Sequence, residues 1–473
     1  MNNWVVKLRV ALWLTLFFVV SLLLYLAIVP QGHIIYTSNF VKKSFFIGEL
    51  FPRDRVSFVI DKDKTKRAVI VGDPVYFSLY TPRRFNKAKL VLTYKRESQK
   101  INSMPIIEAG VLVDKVVWRY DLKPLDNAII DKLSNNWVAV TEGNLLLLQK
   151  PDTNGSSTRK FYQSISEFLN NLPPRDQIAL YNYSLDVDYV LPNYQKQNEI
   201  KVFDYPLRGS YQFYTYIKDE TMNFNFTFDC LNKDKEADPI DLNLYYRNRL
   251  IDSKHLNSFG NNQNNIKRNL NLVVQDLPEG VYKIEIKAND DIITKNIKTT
   301  QQKISFINSL HLAQGGHKDF LVYTDSPVIY VKTTHPLSLQ TVQIGNKKLE
   351  IKEIYKQFSA TVATSSIKFE KDGIIIGGEG VFAFSPDSLI NPSFTKVDKN
   401  FILKQEKINY ILAKYKRPFL KGGWQESEVE FDISHAYREN YKYNFLISIP
   451  GLRVDDNIDD KLIVKEVKIY LSE

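Results

Sequence analysis

The chain has 473 residues, a formal net charge of +10 and one cysteine. A hydrophobic content of 44% supports folded cores and argues against a disordered chain, and the single cysteine excludes an intrachain disulfide framework. There is no G-x-S-x-G, no Walker A run and no H-E-x-x-H, so the common catalytic signatures are absent and no enzyme is predicted.

Residues 10–29 carry no charge. As a helix they would be about 30 Å long, the thickness of a bilayer's hydrocarbon core. A signal peptide's apolar core is about 7–15 residues long and ends in small residues. Here the run ends "YLAIVPQGHI", without an A-x-A site. Trp13 and Tyr25 sit toward the two ends, where headgroups favour such rings. No polar face interrupts the run, which argues against a soluble core helix. The sequence therefore predicts a transmembrane anchor at 10–30, with a cleaved signal as the competing reading. Lys7 and Arg9 precede the run and the next cation is Lys42. The positive-inside rule then predicts residues 1–9 in the cytoplasm and the bulk of the chain outside the cell membrane.

Residues 31–52 are too apolar for a Gly/Ser linker and are expected to pack on the first domain or lie at the membrane surface. Beyond them, period-two alternation dominates. Leu90, Leu92 and Tyr94 share one face, and so do Met222, Phe224, Phe226, Phe228 and Cys230. The same holds for Tyr282, Ile284 and Ile286, for Tyr441, Tyr443, Phe445, Ile447 and Ile449, and for Val467, Ile469 and Leu471. Half-buried antiparallel strands give this pattern. "DLPEG", "GNKK" and "KDGI" supply turn chemistry between them. The fold class is mainly β: an N-terminal helix followed by tandem antiparallel β-sandwiches of jelly-roll or immunoglobulin-like kind. One helix is expected at 157–172, capped by Ser156, Ser157 or Thr158 and stopped by Pro173 and Pro174. The predicted blocks are 53–200 with that helix inserted, 201–302 and 303–473.

The last block closes with a Trp-containing strand, "FDIS", a loop, "FLISIPG" and a final amphipathic strand. This order resembles the closing strands of galactose-binding-like jelly rolls. The resemblance covers roughly the last 50 residues and implies a fold shared by sugar-binding, protein-binding and purely structural modules.

Candidate sites follow from exposure and chemistry. Trp424 follows a Gly pair that could expose it for glycan stacking, against an edge-of-core reading. Tyr437 sits in a loop, and Tyr214 and Tyr216 are expected to point outward from one strand. Arg83, Arg84, Lys87, Lys89 and Lys95 form a basic hairpin. It would attract anionic headgroups or acidic envelope polymers, or simply protect an edge strand from aggregation. "DDNIDDKLIVKE" offers Asp455, Asn457 and Asp459 as oxygen ligands for a structural calcium, the one cofactor entertained. It lacks the EF-hand glycine, and the competing reading is a solvated acidic turn. "GIIIGGEGVF" reads as a loop. Cys230 reads as a core residue, and His311 and His317 as surface residues. The expected partners are the membrane, through the N-terminal helix, and a glycan, an acidic polymer or a protein. Nucleic acid is not expected. The leading function is binding or cell-envelope and surface structure. The alternative is a carbohydrate-binding module or carbohydrate-active enzyme on the C-terminal jelly roll.

Overall fold

The computed structural model describes all residues except 1–2, 29–31, 62, 98–103, 152–159, 232–237, 258–266, 363–365, 404 and 455–459. Asn3–Ile28 is a single α-helix. Within it, Trp4–Tyr25 is long and apolar enough to cross a membrane, and none of the described residues covers it. The rest of the chain is mainly β and divides into two compact units. The first comprises residues 1–183, 396–401 and 407–473, and the second residues 184–395 and 402–406.

The first unit is a β-sandwich with a small extra sheet. Its seven-stranded sheet runs in the order Val56–Ile60, Lys66–Ile70, Lys461–Ser472, Lys87–Glu97, Trp424–Asp432 and Phe419–Lys421, with His33–Ser38 also on Lys461–Ser472. The facing sheet joins Val75–Tyr80, Lys442–Ser448, Ile106–Asp114 and Arg119–Asn127. Alternation explains this pairing of sheets. Leu90, Leu92, Tyr94, Val467, Ile469 and Leu471 from one sheet meet Phe77, Tyr443, Phe445 and Ile447 from the other, and all of them are essentially solvent-free. Phe77 stacks on Phe445 at 5.6 Å between centroids. Tyr441 departs from the expected face. It precedes its strand and is 59% exposed.

A third sheet places Ile178–Tyr181 parallel to Tyr410–Lys414, which runs antiparallel to Leu145–Gln149. The helix Ala128–Ser134 packs there, capped by Asn127, whose side chain accepts from Ile129 N and Ile130 N. The sequence reading missed this helix because it is only two turns long. The helix expected at 157–172 is shorter, spanning Ile165–Asn170 with Ser164 as its cap. The proposed caps at 156–158 lie outside the described residues.

The second unit has one continuous core from Leu207 to Phe382. Tyr211–Ile217 pairs with both Gly280–Lys287 and Ser305–His311, so a single sheet crosses residue 302. The Met222–Cys230 strand faces it with Phe224, Phe226 and Phe228 fully buried. "GIIIGGEGVF" is not a loop. Ile374–Ala383 is a strand, and Gly377 lies opposite Tyr330, whose ring fills the space a Cβ would need.

The units therefore differ from the blocks 53–200, 201–302 and 303–473. Residues 303–395 share a core with 201–302, while 407–473 complete the first sandwich. Local periodicity reveals strands but not their partners, and here the partners lie at opposite ends of the chain. We predict two unfolding transitions. Leu92→Ala should lower only one, by about 2–5 kcal/mol, and an isolated 184–395 fragment should reproduce the other in calorimetry. One transition shared by both units would contradict this division.

Candidate functional site

The outer face of the seven-stranded sheet carries a groove of about 670 Å³. Period-two geometry builds it. Lys87, Lys89 and Val91 come from one strand, Glu426, Glu428 and Glu430 from the next, and Lys468, Tyr470 and Ser472 from the strand on the other side. Each set is the face turned away from the core. Lys89 Nζ lies 2.6 Å from Glu428 Oε2, and Lys416 Nζ lies 2.9 Å from Glu428 Oε1. These hydrogen bonds hold the Glu428 carboxyl below its usual range and raise the Lys89 amine. The result is a ladder of alternating donors and acceptors whose charges are largely matched. It suits a hydroxyl-rich or zwitterionic ligand better than a bare anion. Glu426, Glu428 and Glu430 repeat at the same spacing as Lys87 and Lys89, but only the sheet pairing brings the two sets together.

The basic hairpin is corrected by its neighbours. The Lys87–Glu97 strand is not an edge, because it is paired on both sides from Lys87 to Tyr94. Its lysines therefore do not protect an edge. Arg83 pairs with Glu473 and lies over the Phe85 ring at 4.8 Å. Lys95 stands 4.9 Å from the Trp424 ring. Arg84 and Lys87 are exposed.

Trp424 is only 8% exposed. It packs on Val69 and Ile463, and Arg67, Lys95 and Lys465 surround its ring at 4.9–5.6 Å. The Gly422–Gly423 turn lies at the end of the hairpin and leaves the indole covered. Stacking on a glycan is thus blocked by its own neighbours. Tyr216 is fully buried rather than outward. Its hydroxyl donates to Glu279 at 2.6 Å and accepts from Leu191 N, and its ring meets Tyr194 at 4.9 Å. The segment around residues 191–194 covers this strand face, which alternation alone could not reveal. Tyr214 is half-buried with its hydroxyl 3.4 Å from Ser393 Oγ. Tyr437 is half-buried under Lys115. The structure does not bring Trp424, Tyr437, Tyr214 and Tyr216 into one platform. Asp455, Asn457 and Asp459 lie outside the described residues. Among the described residues no group of three His, Cys, Asp or Glu could hold a metal.

Cys230 is buried, as its strand position implies, and donates to Asp238 at 3.0 Å. His311 is not a surface residue. Burial pushes its pKa down to about 4, helped by Arg208. His317 is half-buried, its ring packed on Tyr205 at 4.9 Å.

Two polar clusters in the first unit escaped the sequence reading. Tyr94 Oη donates to Asp126 at 2.5 Å, and Arg96 pairs with the same carboxylate at 2.7 Å. Tyr415 Oη lies 3.5 Å from Asp126 and 3.4 Å from Asp131 as a donor and accepts from Asn127 N at 3.1 Å, joining segments that are distant in sequence. On the facing sheet, Glu108 lies opposite Ser448, whose hydroxyl donates to Asp73 at 3.0 Å. Ile449 N also donates to Asp73 at 2.6 Å. Burial raises both carboxyls, and the Asp73 charge raises Glu108 further. Asp73 is committed to holding the 442–448 strand end, so this pair reads as architecture rather than as an acid–base couple.

No protein-family model matches the chain, and no curated protein matches it. Among solved structures, the VP2 subviral particle of infectious bursal disease virus aligns with 94% of this chain and 78% of its own, at 11% identity and a TM-score of 0.15. The T13 particle of the same virus aligns over 81% and 84%, at 10% identity and a TM-score of 0.16. At such TM-scores the alignments carry no argument about ancestry or function.

Glu108 gives a pH-dependent prediction. A carboxyl whose folded pKa is raised binds its proton more readily when folded, so its contribution to stability is present at acid pH and lost as pH rises. Glu108→Gln should therefore raise the melting temperature of the first unit at neutral pH. The gain should vanish below the ordinary glutamate range. An equal change at pH 4 and pH 7 would contradict the assignment.

Proposed function

We propose that the chain is a single-pass, membrane-anchored protein whose β-sandwich units lie outside the cytoplasm and act in binding or in building surface structure. The observation that carries this reading is the uncovered Trp4–Tyr25 helix. From Val10 on it is apolar on every side, and none of that surface is buried against the described residues, which in water is strongly unfavourable at about 25 cal/mol per Å². A bilayer resolves the difficulty. Lys7 and Arg9, in the helix's first turns and before its uncharged stretch, support a cytoplasmic N-terminus. A signal that is removed would leave the same uncovered helix, so the test must distinguish the two. In cells expressing the chain, the full-length protein should stay in the membrane pellet after alkaline carbonate extraction. External protease should remove a C-terminal tag. Release of a shorter form by carbonate would favour cleavage, and complete protection of the tag would reverse the topology.

A second reading, carbohydrate recognition by the closing strands, is favoured by the groove on their outer face. Its Lys–Glu ladder and Tyr470 supply polar groups and one aromatic ring. A glycan array with the detergent-solubilised chain should then show saturable binding that Glu428→Ala and Tyr470→Ala each weaken at least tenfold. Binding unaffected by both substitutions, or none, would set this reading aside.

A further inference from the structure

The strand register gathers several exposed aromatic tips at one end of the first sandwich. Ser472 pairs with both His33 and Lys87, and Lys87 pairs with Asp432, which fixes one end of the seven-stranded sheet. Tyr80 pairs with Lys442 and is joined to Lys87 by the short 81–86 loop, so the facing sheet ends at the same place. Val111 pairs with Phe445, which brings the 115–118 hairpin to that end as well. Tyr80 N donates to Phe46 O, and this places the 44–46 loop beside it. Phe45 is 81% exposed, Trp118 64% and Tyr441 59%. Tyr80, which ends its strand, and Arg119, which starts its own, stand three strand spacings apart, so these tips span roughly 15 Å, given a strand spacing of about 4.8 Å.

Chain continuity argues for what covers them. The N-terminal helix ends at Ile28 and the first strand begins at His33, at this same end. Five residues reach at most about 18 Å. The end of the sandwich that bears the aromatic tips therefore stays close to the end of the apolar helix. The charges agree. Lys42, Lys43, Arg84, Lys87 and Lys442 are exposed around the tips. The nearby acids are engaged: Glu49 by Lys43 at 3.9 Å and Arg53 at 3.4 Å, Glu439 by Lys115 at 3.0 Å, and Glu473 by Arg83, which leaves Lys42, Arg84, Lys87 and Lys442 as the cations turned to solvent. Asp114 and Asp432 turn back to accept from Val116 N and Ser434 N in their own loops. Aromatic side chains flanked by cations are the composition that settles at a headgroup layer.

We infer that Phe45, Trp118 and Tyr441 seat this end of the sandwich on the lipid surface of the bilayer that the helix crosses, with the surrounding cations on anionic headgroups. The inference rests on the anchor reading above and adds a second, peripheral membrane contact that holds the first unit upright against the bilayer.

The test uses the full chain in a Cys230→Ser background, reconstituted in phosphatidylcholine–phosphatidylglycerol vesicles carrying nitroxide-labelled lipid. Phe45→Cys, Trp118→Cys and Tyr441→Cys are labelled one at a time with an environment-sensitive fluorophore. Leu420→Cys is the control, because Leu420 is 78% exposed and pairs with Gln425 at the opposite end of the sandwich. Several-fold stronger quenching at 45, 118 and 441 than at 420 is expected. Equal quenching at all four positions, or none at the three tips in protein that still floats with the vesicles, overturns the inference and leaves the anchor intact. Protein that does not float overturns the anchor reading itself.

Discussion

The structure depends on the pairing of its last strand. Lys461–Ser472 lies inside the seven-stranded sheet, bonded to Lys87–Glu97 on one side and to His33–Ser38 and Lys66–Ile70 on the other. No other strand can take its place, because Leu462, Val464, Val467, Ile469 and Leu471 fill the sandwich core from that position. The chain must therefore return to its beginning before the first unit is complete. Such long-range closure carries a large entropic cost before any contact repays it, and it predicts slow assembly of this unit relative to one with local pairing. The second unit, drawn from 184–395 with only 402–406 added, meets no such delay.

The same closure positions what we read as functional. The groove takes one wall from the strand after residue 424, its floor from the strand after residue 87, and its other wall from the closing strand. It does not exist until the two ends of the chain meet. The aromatic end depends on the same event, since Ser472 holds His33 and Lys87 side by side. Groove and aromatic tips are thus two consequences of one register. A slip of a single residue in the closing strand would turn Val467, Ile469 and Leu471 outward and bury Lys468 and Tyr470.

Much of the fold was legible because its signals are local. Period-two alternation placed Leu92, Phe226, Ile284 and Ile469 in cores, and each is fully buried. The apolar run placed the helix. What failed were inferences that needed a partner. Lys89 was assigned to an edge because its neighbours on both sides lie more than 300 residues away. For Trp424 the edge-of-core reading holds and the glycan-stacking one fails, and the residues that decide between them, Val69 and Ile463, are distant in sequence. Tyr216 was turned outward because the strand pattern could not announce Tyr194 lying over it. The Gly377 run looked like a loop because glycine's usual role is a turn, and its role here, making room for the Tyr330 ring, appears only across the sheet. The candidate groove was half legible: the lysines and glutamates show the right spacing, but their adjacency is tertiary.

Cross-linking across the first and last strands tests the central claim most directly. Ile35 lies opposite Tyr470 in the register. In a Cys230→Ser background, Ile35→Cys with Tyr470→Cys should be joined by a short thiol-specific cross-linker, so that N- and C-terminal fragments stay attached after cleavage within the 184–395 unit. Shifting one cysteine to Lys461, at the far end of the closing strand, should abolish the link. Fragments that separate with the Ile35–Tyr470 pair, or that join equally well with the shifted pair, would contradict the closure of the chain on itself.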